Sequence, residues 1–167
     1  MNNKTKRIAF LGLCVSLAMV LSYLELMLPP IYSAVPGIKM GLPNIVIIFT
    51  LYRFGLKEAV AVSLVRIFAV SLLFGNFMAF AYSLAGAVLS LAVMALLKKS
   101  DAFSKVGISV AGAVCHNLGQ IAVAIFILER IEIGYYMAIL AVTGVLAGVL
   151  VGLASVFLLK TLSKVKF

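Results

Sequence analysis

Charge-free stretches run over residues 8–24, 26–38, 40–52, 59–65, 67–97, 106–128 and 133–159. A helix that crosses a bilayer needs ~20 mostly apolar residues, so 106–128 and 133–159 each suffice for one crossing, whereas 67–97 is too long for one. Gly75-Asn76 is its natural break, because Gly admits positive φ and Asn tolerates it. The pattern predicts helices over about 8–28, 42–54, 56–75, 77–97, 106–128 and 136–160. The second is short, reaching only ~19 Å at 1.5 Å per residue. The expected fold is an all-α integral membrane protein, one six-helix transmembrane domain over 1–167.

Composition agrees. With 65% apolar and 11% charged residues in 167, the chain carries more apolar surface than a water-soluble core of that length could hide. Lipid is its expected solvent, and a soluble enzyme is excluded. A net charge of +9 would suggest nucleic acid in a soluble protein, but here the cations fall between the apolar runs. Lys4, Lys6, Arg7, Arg53, Lys57, Lys98, Lys99, Lys105, Lys160, Lys164 and Lys166 lie on one side of the predicted bundle, against Lys39 and Arg130 on the other. That bias of 11 to 2 predicts a multi-pass protein of the cell membrane with both termini cytoplasmic. A cleaved signal peptide over 1–28 is disfavoured, since no small-x-small site follows promptly. Cys14 and Cys115 have no metal-site or disulfide spacing, and no cofactor is expected.

Polar residues inside the apolar runs carry the candidate chemistry. The connection 29–41 holds three prolines and two glycines and cannot be a regular helix. Because the second helix is short, this connection is expected to dip into the outer leaflet, as a lid or as a stiff surface turn. Arg66 sits ~13 Å along the third helix, too deep for easy snorkelling. His116, Asn117 and Gln120 sit ~15 Å along the fifth, with His116 and Gln120 stacked four apart. Such groups face a protein interior or a watery cavity, so they either bind a ligand or tie helices together. Glu25 is expected to pair with Lys39 or to rest at the interface, and 129–132 reads as a solvated turn. Small residues recur at four-residue spacing: Gly12 with Ser16, Cys14 with Ala18 and Ser22, and Gly144 with Gly148 and Gly152. Such rows permit close helix approach, chiefly inside the bundle.

Four stretches together resemble one family: 36–46, holding Lys-x-Gly-x-x-Asn at 39–44; 65–76, with Val65-Arg66-Ile67 and Gly75-Asn76; 82–86; and 112–120, holding His-Asn-x-Gly-Gln at 116–120. This is the Gx transporter family, also named heptaprenyl diphosphate synthase component I, and the resemblance covers nearly the whole chain. Pro43 stands where the family more often has Ala, which predicts a bend at the start of the second helix. The family is similar to the S components of energy-coupling-factor transporters. That likeness implies a six-helix bundle binding a small molecule beneath its first loop and energised by a coupling subunit and separate ATPases. Lys39, Asn44, Arg66, Asn76, His116, Asn117 and Gln120 are the implied substrate-binding set. Those S components dock through an Ala-x-x-x-Ala row on the first helix, for which this chain offers only substitutes such as Cys14 with Ala18.

The second family name is tested by chemistry. A prenyl diphosphate synthase holds Mg²⁺ against diphosphates with paired aspartate-rich motifs, because hard cations demand oxygen ligands. This chain has five acids, one of them an aspartate, Asp101. It also has no Gly-x-x-x-x-Gly-Lys segment for ATP. The expectation is therefore a non-enzymatic substrate-binding subunit for uptake of a small molecule. The alternative is a non-catalytic membrane partner of a heptaprenyl diphosphate synthase.

Overall fold

The computed structural model describes residues 3–27 and 41–164. Six α-helices follow in order, α1 Asn3–Met27, α2 Asn44–Arg53, α3 Leu56–Phe74, α4 Phe77–Lys99, α5 Lys105–Leu128 and α6 Met137–Thr161, with a 3-10 segment Ile131–Tyr136 before the last. Each predicted helix is present, and among the described residues there is no strand. The largest shift is at α1, which begins at Asn3 rather than residue 8 and carries Lys4, Lys6 and Arg7 on its first two turns. The α1, α4 and α5 helices and the stretch Ile131–Lys164 are long and apolar enough to cross a membrane. The protein is accordingly a multi-pass helical membrane protein. At 19 residues α3 is nearly as long, but it carries Lys57, Glu58 and Arg66.

The break between α3 and α4 falls at Gly75-Asn76 as the sequence predicts, by a different mechanism. Gly75 does not use positive φ; its φ is −108°. A Cβ there would lie 3.0 Å from Ser71 Cα, so only Gly lets the chain turn this tightly against the helix it leaves. Asn76 then starts α4 by accepting the Ala79 N–H on its side chain at 2.8 Å.

The ten-residue α2 is the centre of the bundle. Seven of its residues, Asn44 and 46–51, are buried, because α1, α3 and α6 all pack against it. A helix that is apolar all round can be stable only inside a core. Its first turn is built by Pro43, at φ −60° and ψ −18°, whose carbonyl accepts the N–H groups of Val46 and Ile47. Proline's missing N–H costs nothing there, so Pro43 begins the helix rather than bending it. The residues that cover α2 include Cys14 and Ala18 of α1, Ala59 and Val62 of α3, and Val151 of α6. The row of Cys14, Ala18 and Ser22 is buried inside the bundle and presents no docking surface to another subunit.

The remaining helices close on one another through glycine. α5 lies between α4 and α6. A Cβ at Gly119 would come within 2.7 Å of the Ala85 carbonyl on α4, and one at Gly148 within 2.6 Å of Val110 Cα on α5. A Cβ at Gly152 would lie 2.9 Å from Val106 Cα in the same seam. The Gly144, Gly148, Gly152 row thus serves internal packing, bringing backbones together as small-residue rows do in lipid. Ser109 adds a hydrogen bond across the seam to the Gly148 carbonyl at 2.7 Å.

Gly148→Val would force α5 and α6 apart at their closest point and is expected to destabilise the bundle by ~1–3 kcal/mol, the usual cost of overpacking. Val142→Ala on the exposed face of α6 should leave stability almost unchanged. Thermal unfolding of the two purified variants in detergent checks this, and equal midpoints would refute the seam.

Candidate functional site: a buried polar cluster at the start of α2

The amino end of a helix presents N–H groups with no partner in its own backbone, and in a low-dielectric interior each needs an acceptor. In α2 that end lies deep in the bundle. Gly41, at φ +88°, turns the chain into the helix, and its carbonyl accepts the Asn44 N–H at 2.9 Å. The N–H groups of Gly41 and Leu42 donate to one oxygen of the Glu25 carboxylate on α1, the Leu42 bond at 3.4 Å. A carboxylate at a helix amino terminus also gains from the helix dipole. Glu25 is buried and is not an interfacial residue.

A second buried ionisable group comes from α3. Arg66 lies ten residues beyond the start of that helix, ~15 Å along it, and is only 4% exposed. One guanidinium nitrogen donates to the Ser22 hydroxyl at 3.3 Å, and Ser22 donates in turn to the Ala18 carbonyl at 2.8 Å. Glu25 is the carboxylate whose field acts on Arg66. Arg66 Nε is buried with no hydrogen-bond partner in the protein.

α5 supplies the other side. His116 lies eleven residues beyond Lys105, ~17 Å along its helix, and so at nearly the depth of Arg66. Its Cδ2 is 4.0 Å from where a Cβ on Gly41 would stand, which brings the imidazole to the start of α2. The ring fits against α4 only because residue 86 is Gly; a Cβ there would lie 2.8 Å from both Cε1 and Nδ1. Gln120 sits one turn on, its amide nitrogen 3.1 Å from His116 Nε2. With the amide as donor, Nε2 accepts and the ring proton sits on Nδ1.

The seven predicted site residues divide. Arg66, His116, Gln120 and Asn44 gather round the start of α2, where Asn44 Nδ2 packs beside Gly41. Asn117 points the other way, donating to the Leu140 carbonyl of α6 at 2.8 Å, and ties two helices. Asn76 is an exposed helix cap. Lys39 and the rest of the proline-rich connection up to residue 40 lie outside the described residues. Glu25 and Ser22 belong to the cluster and are missing from the sequence-based set. Their signal is present, since Cys14, Ala18, Ser22 and Glu25 recur every three or four residues along one face of α1. Fully buried Tyr82, one turn before Gly86 on α4, carries a hydroxyl with no protein partner. Among the described residues no three His, Cys, Asp or Glu side chains converge as metal ligands. The cluster offers hydrogen-bonding groups and two buried ionisable side chains, which suits a polar ligand group or a rigid internal tie.

A family model described as heptaprenyl diphosphate synthase component I matches residues 14–158, from the middle of α1 to the last turn of α6. No curated protein and no solved structure matches the chain.

Glu25 and Arg66 are both buried, and where two buried charges compensate each other, removing one costs up to ~3–5 kcal/mol. Arg66→Met should therefore lower stability sharply. Adding Glu25→Gln, which keeps an acceptor for the Gly41 and Leu42 amides but removes the charge, should restore more than half of the loss. Unfolding of the two single variants and the double variant in detergent measures the coupling; additive effects would mean that the two side chains do not compensate each other.

Proposed function

The chain belongs to the heptaprenyl diphosphate synthase component I family, and from that premise we propose that it is a non-catalytic membrane component of such a synthase. The observation that carries this reading is the extent of the family match, 14–158, which takes in all six helices. Diphosphate chemistry needs Mg²⁺ on several carboxylates, and the one aspartate, Asp101, stands exposed in the α4–α5 turn. The catalytic carboxylates in this reading belong to a separate, soluble chain, and the membrane component holds that chain or its lipid product at the bilayer. The six helices all span or line the membrane interior, with both termini and the α2–α3 and α4–α5 turns cytoplasmic, as the cation bias requires.

The buried cluster favours a second reading, in which the chain is a substrate-capture subunit energised by a separate coupling protein and ATPases. Arg66, Glu25, His116 and Gln120 converge at mid-depth from three helices, and ionisable groups there are commonly functional. Against docking in the S-component manner stands the burial of Cys14 and Ala18, the nearest counterpart of that interface.

Affinity purification from the native membrane separates the readings. Under the first, a soluble prenyl diphosphate synthase co-purifies, and deleting the chain lowers formation of the long prenyl diphosphate. Recovery of an ATPase and a coupling protein, with a small molecule retained by the purified chain, would overturn the first in favour of the second. Reporter fusions after residues 55, 102 and 167 should read cytoplasmic and those near 34 and 131 external. A reversed reading at any internal turn would sink the six-span topology.

A further inference from the structure

Two buried side chains at the start of α2 keep hydrogen-bonding capacity that the protein does not use. A guanidinium carries five N–H donors. Among the described residues Arg66 donates to the Ser22 hydroxyl, at 3.3 Å, and its Nε has no partner. Asn44 is 7% exposed, and its amide makes no side-chain hydrogen bond among the described residues. We infer that Arg66 and Asn44 form a binding site for a small molecule through its carboxylate group. The proposal rests on the capture reading of the cluster and adds the chemical class of what is captured.

Side chains that only tie helices together look different in this protein. Asn117 closes a 2.8 Å bond to the Leu140 carbonyl, and Ser109 a 2.7 Å bond to the Gly148 carbonyl. Arg66 and Asn44 close no such bond to a neighbouring helix. The contact of Arg66 with Ser22 is long, and the Ser22 hydroxyl spends its own proton on the Ala18 carbonyl at 2.8 Å. Among the described residues no ion pair joins Arg66 to a carboxylate. Glu25, whose field reaches it, accepts the N–H groups of Gly41 and Leu42. A guanidinium taken out of water at mid-depth is costly unless its donors are met, so an acceptor supplied from outside the chain is favoured there.

The class of acceptor follows from the donor set. The planar fork of a guanidinium matches the paired oxygens of a carboxylate or a phosphate. With Glu25 close by, one guanidinium can compensate a single negative charge in a buried site but not the two of a phosphate, which selects the carboxylate. Asn44 brings an amide to the same turn. Its Nδ2 would lie 2.8 Å from a Cβ on Gly41, so any other residue at position 41 would press the amide aside. Gly41 thereby keeps the turn open between Asn44 and the His116 ring, whose Cδ2 lies 4.0 Å from the same point.

The test follows thermal unfolding of the purified full chain in detergent as sodium acetate replaces chloride at constant ionic strength, with acetamide as the uncharged isostere. Acetate is expected to raise the midpoint saturably and acetamide to leave it unchanged. Arg66→Lys keeps the charge but loses the fork, and should raise the half-saturating acetate concentration at least tenfold. Asn44→Ala should raise it severalfold, and carries the comparison if Arg66→Lys fails to fold. Ser90→Ala is the control, since it removes another buried hydroxyl without a partner, one that lies against Gly112 of α5, and should respond as the parent does. No saturable response to acetate, an equal response to acetamide, or variants at 66 and 44 that respond like Ser90→Ala would overturn the site. A stronger response to inorganic phosphate than to acetate would overturn the ligand class. An uncharged molecule retained by the purified chain would remove this proposal and leave the capture reading standing. Recovery of a soluble synthase would remove the capture reading, and the acetate titration, read on the chain alone, would still decide the site.

Discussion

A ten-residue helix is ~15 Å long and cannot cross a bilayer, so both ends of α2 must be satisfied by other parts of the protein. The structure does this with ionised side chains from other helices. Glu25 of α1 takes the amide groups at the amino end, and Lys98 of α4 donates to the Leu51 carbonyl near the carboxyl end at 2.7 Å. Each charge also has the sign that the helix dipole favours at its end. Ser155 of α6 binds the Ile45 carbonyl at 3.0 Å and fixes the helix laterally. With α2 held this way, α1, α3 and α6 have an apolar post to pack on.

The buried charge brings its own requirement. A buried carboxylate is expensive unless other groups compensate it; Glu25 accepts two backbone N–H groups, and its field acts on the buried Arg66 of α3. The polar cluster at the start of α2 thus begins with the needs of the short helix itself. Its capacity for a ligand comes from what is added around it: the His116 ring seated against Gly86, the Gln120 amide, and the Tyr82 hydroxyl. Glycine in α4, α5 and α6 makes room for these groups by letting backbones close to contact, which in lipid replaces the hydrophobic driving force that water would supply.

The helices were legible in the sequence because lipid imposes one rule on every span: apolar length between polar breaks. Residues 106–128 and 77–97 need no tertiary information, and Asn76 announces the start of α4 by its residue type. The glycine row at 144, 148 and 152 was equally plain, because four-residue spacing on a helix is a statement about one face. The division of the polar residues was not. His116 and Asn117 are adjacent in sequence and point to α4 and α6 respectively, a difference decided by the 100° between neighbouring side chains and by which helix stands on each flank. Glu25 looked interfacial because it lies 22 residues along α1, and only the tertiary placement of Gly41 and Leu42 beside it brings backbone amides to meet it. Sequence alone determined which segments form the apolar helices; the tertiary structure decided which polar side chains meet between them, because that depends on the offset and facing of helices that local spacing does not encode.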